Sequence, residues 1–143
     1  MKAQLVLGFD FGTKYIGVAI GQTETLNARP LTSIKVFNQK INWQLIDKLI
    51  KDWQPAELIV GIPLDMDGKE QPITLKCLKF FNQLQQKYNL PTHKIDERLS
   101  TWEAKNTLRL NKVSYSSKEL LDINASAAAI LIQHYFNSIK INN

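Results

Sequence analysis

The sequence predicts a single α/β domain on a mixed sheet, and two observations carry that reading. Three short apolar runs adjoin one another at the start, which favours an antiparallel meander. After them, segments with helical spacing alternate with short buried strands, and helical crossovers favour parallel pairing. A length of 143 residues fits one domain over residues 1–143 with one core. The expected sheet has five strands, three antiparallel and then parallel ones, flanked by helices.

Leu5 to Phe11 is an apolar run, Gly12-Thr13-Lys14 follows, and Ile16 to Gly21 comes at once. This reads as a hairpin turning at Gly12. Pro30 to Phe37 supplies a third strand. Trp43, Ile46, Leu49, Ile50 and Trp53 recur at helical spacing. Pro55 ends that helix, because proline disfavours helix in the residue before it. Leu58-Ile59-Val60 is a short buried strand, closed by Gly61-Ile62-Pro63.

Pro72 suits the start of the next helix, where its missing N–H costs nothing. Ile73, Cys77, Phe80, Phe81, Leu84 and Tyr88 mark the buried side, and the helix ends near Pro91. Thr92 to Ile95 is the last strand. Ser100 with Glu103, and Ser116 with Glu119, form capping boxes. The first opens a helix through about Leu110. The second opens a final helix through Ala125, Ala128, Leu131 and Ile132 to about Phe136. Asn111 to Ser117 is the most loop-like internal segment.

Hydrophobic residues make up 44% and charged residues 22%, so a packed globular domain is expected rather than disorder. The net charge of +5 is a mild bias toward polyanions. A single cysteine excludes an intramolecular disulfide, and Cys77 lies in an apolar helical pattern that suits a core thiol. Met1-Lys2-Ala3 leads into a strand without a cleavable signal pattern. No apolar run approaches the ~20 residues of a membrane helix. A cytoplasmic protein is expected.

Asp10 interrupts a strongly apolar strand. A carboxylate is expensive to bury without compensation, so Asp10 is either a satisfied structural acid at the Gly12 turn or a metal or catalytic ligand. Asp96-Glu97-Arg98 follows the last strand, at the edge where open α/β sheets bind their ligands. The competing reading there is a local surface ion pair. Together, Asp10 and Glu97 on neighbouring strands would make a hard-oxygen site for magnesium or manganese. No cysteine–histidine cluster offers a zinc site, and His93 and His134 are read as structural or surface residues.

Three segments make the sequence recognisable. Asp10-Phe11-Gly12-Thr13-Lys14-Tyr15-Ile16-Gly17-Val18-Ala19 is the first. Gly61-Ile62-Pro63-Leu64-Asp65-Met66-Asp67-Gly68 is the second, and Asp96-Glu97-Arg98-Leu99-Ser100-Thr101 the third. In this order they resemble the YqgF (RuvX) family of pre-16S rRNA nucleases, once described as homologues of Holliday-junction resolvases. The resemblance implies an RNase H-like fold. It also implies an active site with an acid on the first strand, a glutamate after the fourth and an aspartate on the last helix. The first two carry over to Asp10 and Glu97.

The third position holds Asn124, three residues before the pair Ala127-Ala128. Asp122 lies two residues earlier, and two residues turn a regular helix by about 200°. Asn124 is therefore the expected site-facing residue. Asp122 replaces it only if the helix starts late or is irregular there. Asparagine keeps a carbonyl oxygen but loses the charge. A unit pair at ~4 Å and effective dielectric ~20 interacts by about 4 kcal/mol, so metal affinity falls.

Lys14, Arg98, Lys105, Arg109, Lys112 and Lys118 are candidates for phosphate contact; a solvated charged face is the competing reading. The resemblance implies one or two magnesium or manganese ions, and as substrate the 5′ end of the 16S rRNA precursor, with branched DNA as the older alternative. Ribosomal particles are implied as partners. Two rivals stay open. Asp10-Phe11-Gly12-Thr13 also resembles the first phosphate loop of actin-like ATPases, although the chain is short for their two-domain architecture. A catalytically weakened ribosome-assembly factor is the other.

Overall fold

The computed structural model describes residues 4–97 and 117–142. Its elements are β1 (Leu5–Phe11), β2 (Tyr15–Gln22), β3 (Asn27–Lys35), α1 (Trp43–Trp53), β4 (Glu57–Ile62), α2 (Pro72–Tyr88), β5 (Thr92–Asp96) and α3 (Ser117–Asn142). The expected helix from Ser100 and the cap at Ser116 lie outside the described residues.

Local chemistry fixes the helix ends. The Asn42 side chain accepts from the Leu45 N–H at 3.3 Å and starts α1. Gln54 closes α1 in the left-handed region, directly before Pro55. Pro72 stands at the start of α2, where the Gln71 N–H donates to Thr74 Oγ1 at 2.9 Å. The Thr74 hydroxyl donates in turn to the Pro63 carbonyl, which ties the start of α2 to the end of β4.

The strands form one sheet in the order β3-β2-β1-β4-β5. The first three pair antiparallel, and β1–β4 and β4–β5 pair parallel, as the order of elements predicted. Several boundaries differ from expectation. Strand β3 starts at Asn27 and stops at Lys35, because pairing with β2 recruits polar residues that have no apolar signature. Strand β4 runs on through Gly61 to Ile62, with Gly61 opposite Ile95 of β5. Helix α3 continues past Phe136 to Asn142.

Strand alternation splits the core in two. Leu7, Phe9, Ile16, Val18, Leu58 and Val60 meet the helices α1 and α2 through Ile46, Cys77, Phe80 and Leu84. Val6, Ala19 and Ile59 meet α3 through Ala128, Ile132 and Phe136.

Candidate active site

Parity along β1 places Asp10. Val6 packs against α3, and a Cβ on Gly8 would lie 2.6 Å from Ile132 Cγ1, so the even positions of β1 face α3. Asp10 follows on that side and is 3% exposed. Its partner across the antiparallel ladder is Gly17. A Cβ on Gly17 would lie 1.9 Å from the backbone oxygen of Asn124 and 2.9 Å from the Ala125 nitrogen. Only glycine lets this turn of α3 come down onto the strand beside Asp10.

Glu97 follows β5, the fifth strand, rather than the fourth. Its N–H donates to the Ile62 carbonyl at 3.2 Å and extends the parallel ladder by one step. Glu97 is 4% exposed. Its Oε2 lies 2.8 Å from the place a Cβ on Gly61 would take, and Leu131 Cδ1 lies 2.7 Å from the same point. The parallel register matches Phe9 with Val60, so Gly61 is the next β4 residue beside Asp10. The two acids were expected on adjacent strands. Instead β4 lies between β1 and β5, and the bare α-carbon of Gly61 leaves the space between them. Both acids stand on the face covered by α3.

Asn124 is half-buried on α3, its backbone above Gly17. The helix begins at Ser117, so helical backbone spans both Asp122 and Asn124. Lys14 is exposed in the β1–β2 turn, where its carbonyl accepts the Val36 N–H at 2.8 Å. Arg98, Lys105, Arg109 and Lys112 lie outside the described residues. His93 stands near the start of β5, at the other end of the strand from Glu97, with Nε2 3.2 Å from Glu57 Oε1 and its ring stacked on Tyr135. Among the described residues no three histidine, cysteine or acidic side chains cluster as a metal site.

Gly17 and Gly61 are what the sequence reading missed. In the sequence Gly61 reads as the residue that closes the fourth strand. A glycine inside a strand signals a close backbone approach, and that signal was present at both positions. What approaches was not legible.

A five-stranded mixed sheet in this order, helices on both faces and two buried acids at one edge form the RNase H-like fold. Two solved structures share it. Thermus thermophilus RuvC in complex with a Holliday junction substrate matches with a TM-score of 0.58 and 17% identity, covering 96% of each chain. Fowlpox virus resolvase with Holliday junction DNA matches with a TM-score of 0.55 and 15% identity, covering 95% of this chain and 99% of that one. The sequence profile of the RuvX family, described as Holliday junction resolvase, matches residues 4–138. A protein of Cronobacter sakazakii provisionally named a pre-16S rRNA nuclease is 45% identical over 131 residues, 92% of this chain and 94% of the other. A Pectobacterium carotovorum protein with the same provisional name is 43% identical over 138 residues, 96% of this chain and 99% of the other. The chain belongs to the RuvX family. Its class is that of the nucleases, hydrolases acting on phosphodiester bonds.

Proposed function

We propose that this chain, acting as one domain in the cytoplasm, is a divalent-metal-dependent nuclease that processes the 5′ end of pre-16S rRNA. One observation carries the reading. Asp10 and Glu97, both nearly fully buried, face the same helix from either side of Gly61. Burying two acids on one face is costly unless a cation or hydrogen-bond donors compensate. The substrate is taken from the provisional name of relatives up to 45% identical.

The donor set fits a hard cation such as magnesium or manganese, which prefers carboxylate and carbonyl oxygens. Asp10 and Glu97 would hold it, and Asn124 would add an amide oxygen. When bound, such an ion lowers the pKa of water and stabilises the charge on a leaving oxygen. The protein's own residues do the positioning. Gly61 leaves room for the Glu97 carboxylate, Gly17 brings Asn124 over Asp10's neighbour, and the cover of α3 limits water. The exposed Lys14 supports a phosphate contact beside the site.

The neutral Asn124 favours a second reading, a weakly catalytic or non-catalytic factor that binds rRNA on ribosomal particles. Both readings separate in a cleavage assay on a model precursor rRNA with magnesium or manganese, beside a four-way DNA junction. Under the nuclease reading the parent cuts the RNA, Asp10→Asn does not, and Asn124→Asp cuts faster and binds manganese more tightly by calorimetry. Asp122→Asn changes neither. Asp10→Asn cutting at the parental rate would falsify the assignment of the site. Preferential cutting of the junction would move the substrate to branched DNA.

A further inference from the structure

A second site lies at the same edge of the sheet on the opposite face. Residue 11 follows Asp10, so Phe11 points to the other side of β1, toward α1 and α2. There it walls a cavity of about 470 Å³ with Trp43 and Phe80. The Phe11 and Phe80 rings lie 5.1 Å apart, and Trp43 stacks on Phe80 at 5.7 Å. The volume falls in the range of small-molecule sites, roughly 300–1,000 Å³.

Val36 and Ile41 extend this apolar wall, and the rest of the lining is basic and polar. Lys40, Lys76 and Lys79 border the cavity, and among the described residues no acid does. A fourth cation, Lys87 Nζ, lies 4.8 Å over the Trp43 ring. Among the described residues, none of these four lysines forms an ion pair. An apolar aromatic wall ringed by unneutralised lysines matches a base with its phosphate. It does not match a neutral apolar ligand.

The loop that closes the cavity is held in a costly conformation. Asn38 and Gln39 have φ of 50° and 63°, the left-handed region, inside a tight turn closed by Phe37 and Lys40. Glycine is the residue that relieves such a turn. The chain instead keeps Gln39, whose side chain lines the cavity beside Lys40. Backbone strain retained next to a lined cavity is a feature of binding sites. Thr13 also lines it, from the β1–β2 turn that joins the cavity to the acid face.

We propose that this cavity holds an unpaired nucleotide of the nucleic-acid substrate, its base against the Phe11–Trp43–Phe80 wall and its phosphate among Lys40, Lys76 and Lys79, while the strand passes round the β1–β2 turn to the acids. The placement relative to cleavage rests on the nuclease reading; the nucleotide site does not.

The test uses the full chain carrying Asp10→Asn, so that the probe is not consumed. Two RNAs share one duplex, and one adds a short single-stranded tail containing 2-aminopurine. The tailed RNA binds about tenfold more tightly than the blunt one, the scale of one stacked base, and its fluorescence is quenched. Adding Lys76→Glu with Lys79→Glu abolishes the preference, and Trp43→Leu abolishes the quenching. If Trp43→Leu does not fold, the two surface lysines carry the test. Equal binding of both RNAs overturns the proposal, as does a preference that survives the lysine changes. Competition by free AMP at the concentration of the tail also overturns it, because the site would then serve a free nucleotide. Failure of the nuclease reading looks different: the parent leaves precursor rRNA uncut, and the tail preference stays.

Discussion

The two faces of the sheet are built from different materials. The face under α1 and α2 is filled by Phe9, Phe80, Leu58, Leu84 and Ile46, all essentially without exposure. The face under α3 is lined at Gly8, Gly17, Gly21 and Gly61, where a Cβ would strike the helix or a side chain near it. Alanines 125, 127 and 128 line the helix in return. Large side chains on the first face supply apolar burial, the main favourable term in folding. The second face has its own apolar cluster of Ile59, Ile132 and Phe136, and beside it small residues supply proximity, so a helix turn and two acids sit almost on the backbone. Both faces bury apolar side chains, and the close backbone approach that positions the polar groups belongs to the α3 face.

Substitutions on each face test that division. Phe80→Ala has the largest expected cost, about 3–5 kcal/mol of stability, because it opens a cavity among Phe9, Phe11 and Trp43. Urea unfolding reads it, and a loss below about 1 kcal/mol would remove that face's claim to the stability. Gly17→Ala follows, at about 1–3 kcal/mol for overpacking. Here the obstacle is backbone, the Asn124 carbonyl, so no rotamer relieves it. It should also lower manganese binding, which Phe80→Ala should leave intact in the folded fraction.

Gly61→Ala is milder in stability, because the nearest atoms belong to the side chains of Leu131 and Glu97, which can swing aside. It displaces the Glu97 carboxylate, so metal affinity falls more than the unfolding midpoint does. Unchanged metal affinity would show that Glu97 holds no ion.

The smallest effect is at the far end of α3. The Tyr135 hydroxyl donates to Glu57, and burial first, then the Glu57 charge and hydrogen bond, push its pKa up to about 12 from 10.0. The folded state therefore keeps this proton more tightly than the unfolded one. Its contribution is whole below pH 10 and drains away as pH rises toward about 12. Tyr88, raised in the same sense by burial and Asp47, adds to that alkaline slope. Tyr135→Phe should flatten part of the slope in alkaline unfolding curves. A slope as steep as the parent's would discount Tyr135.

Strand and helix types were legible because periodicity reports burial on one side. Cys77, Phe80, Phe81 and Leu84 announced α2, and the Gly12 turn announced the first hairpin. Sheet order was less legible. Nothing local to Asp10 or Glu97 says that β4 enters between β1 and β5. Exposed stretches carried little signal: β3 starts earlier than expected because Asn27 and Arg29 are polar and exposed and their pairing with β2 leaves no apolar pattern. Asp10 was visible as a carboxylate in an apolar strand, and Glu97 as an acid at the end of the last strand. The glycines that make room for them were visible only as glycines, because an empty volume leaves no side chain to read.

Cys77 gives the molecule an internal clock. Its thiol is fully buried on α2, with Sγ 3.8 Å from the Phe11 carbonyl oxygen, directly behind the strand end that carries Asp10. Because the chain has no other cysteine, a thiol reagent labels it at this one point. The reagent reaches sulfur when α2 lifts from β1 or when the whole domain unfolds, so labelling faster than global unfolding measures how often that seam opens by itself.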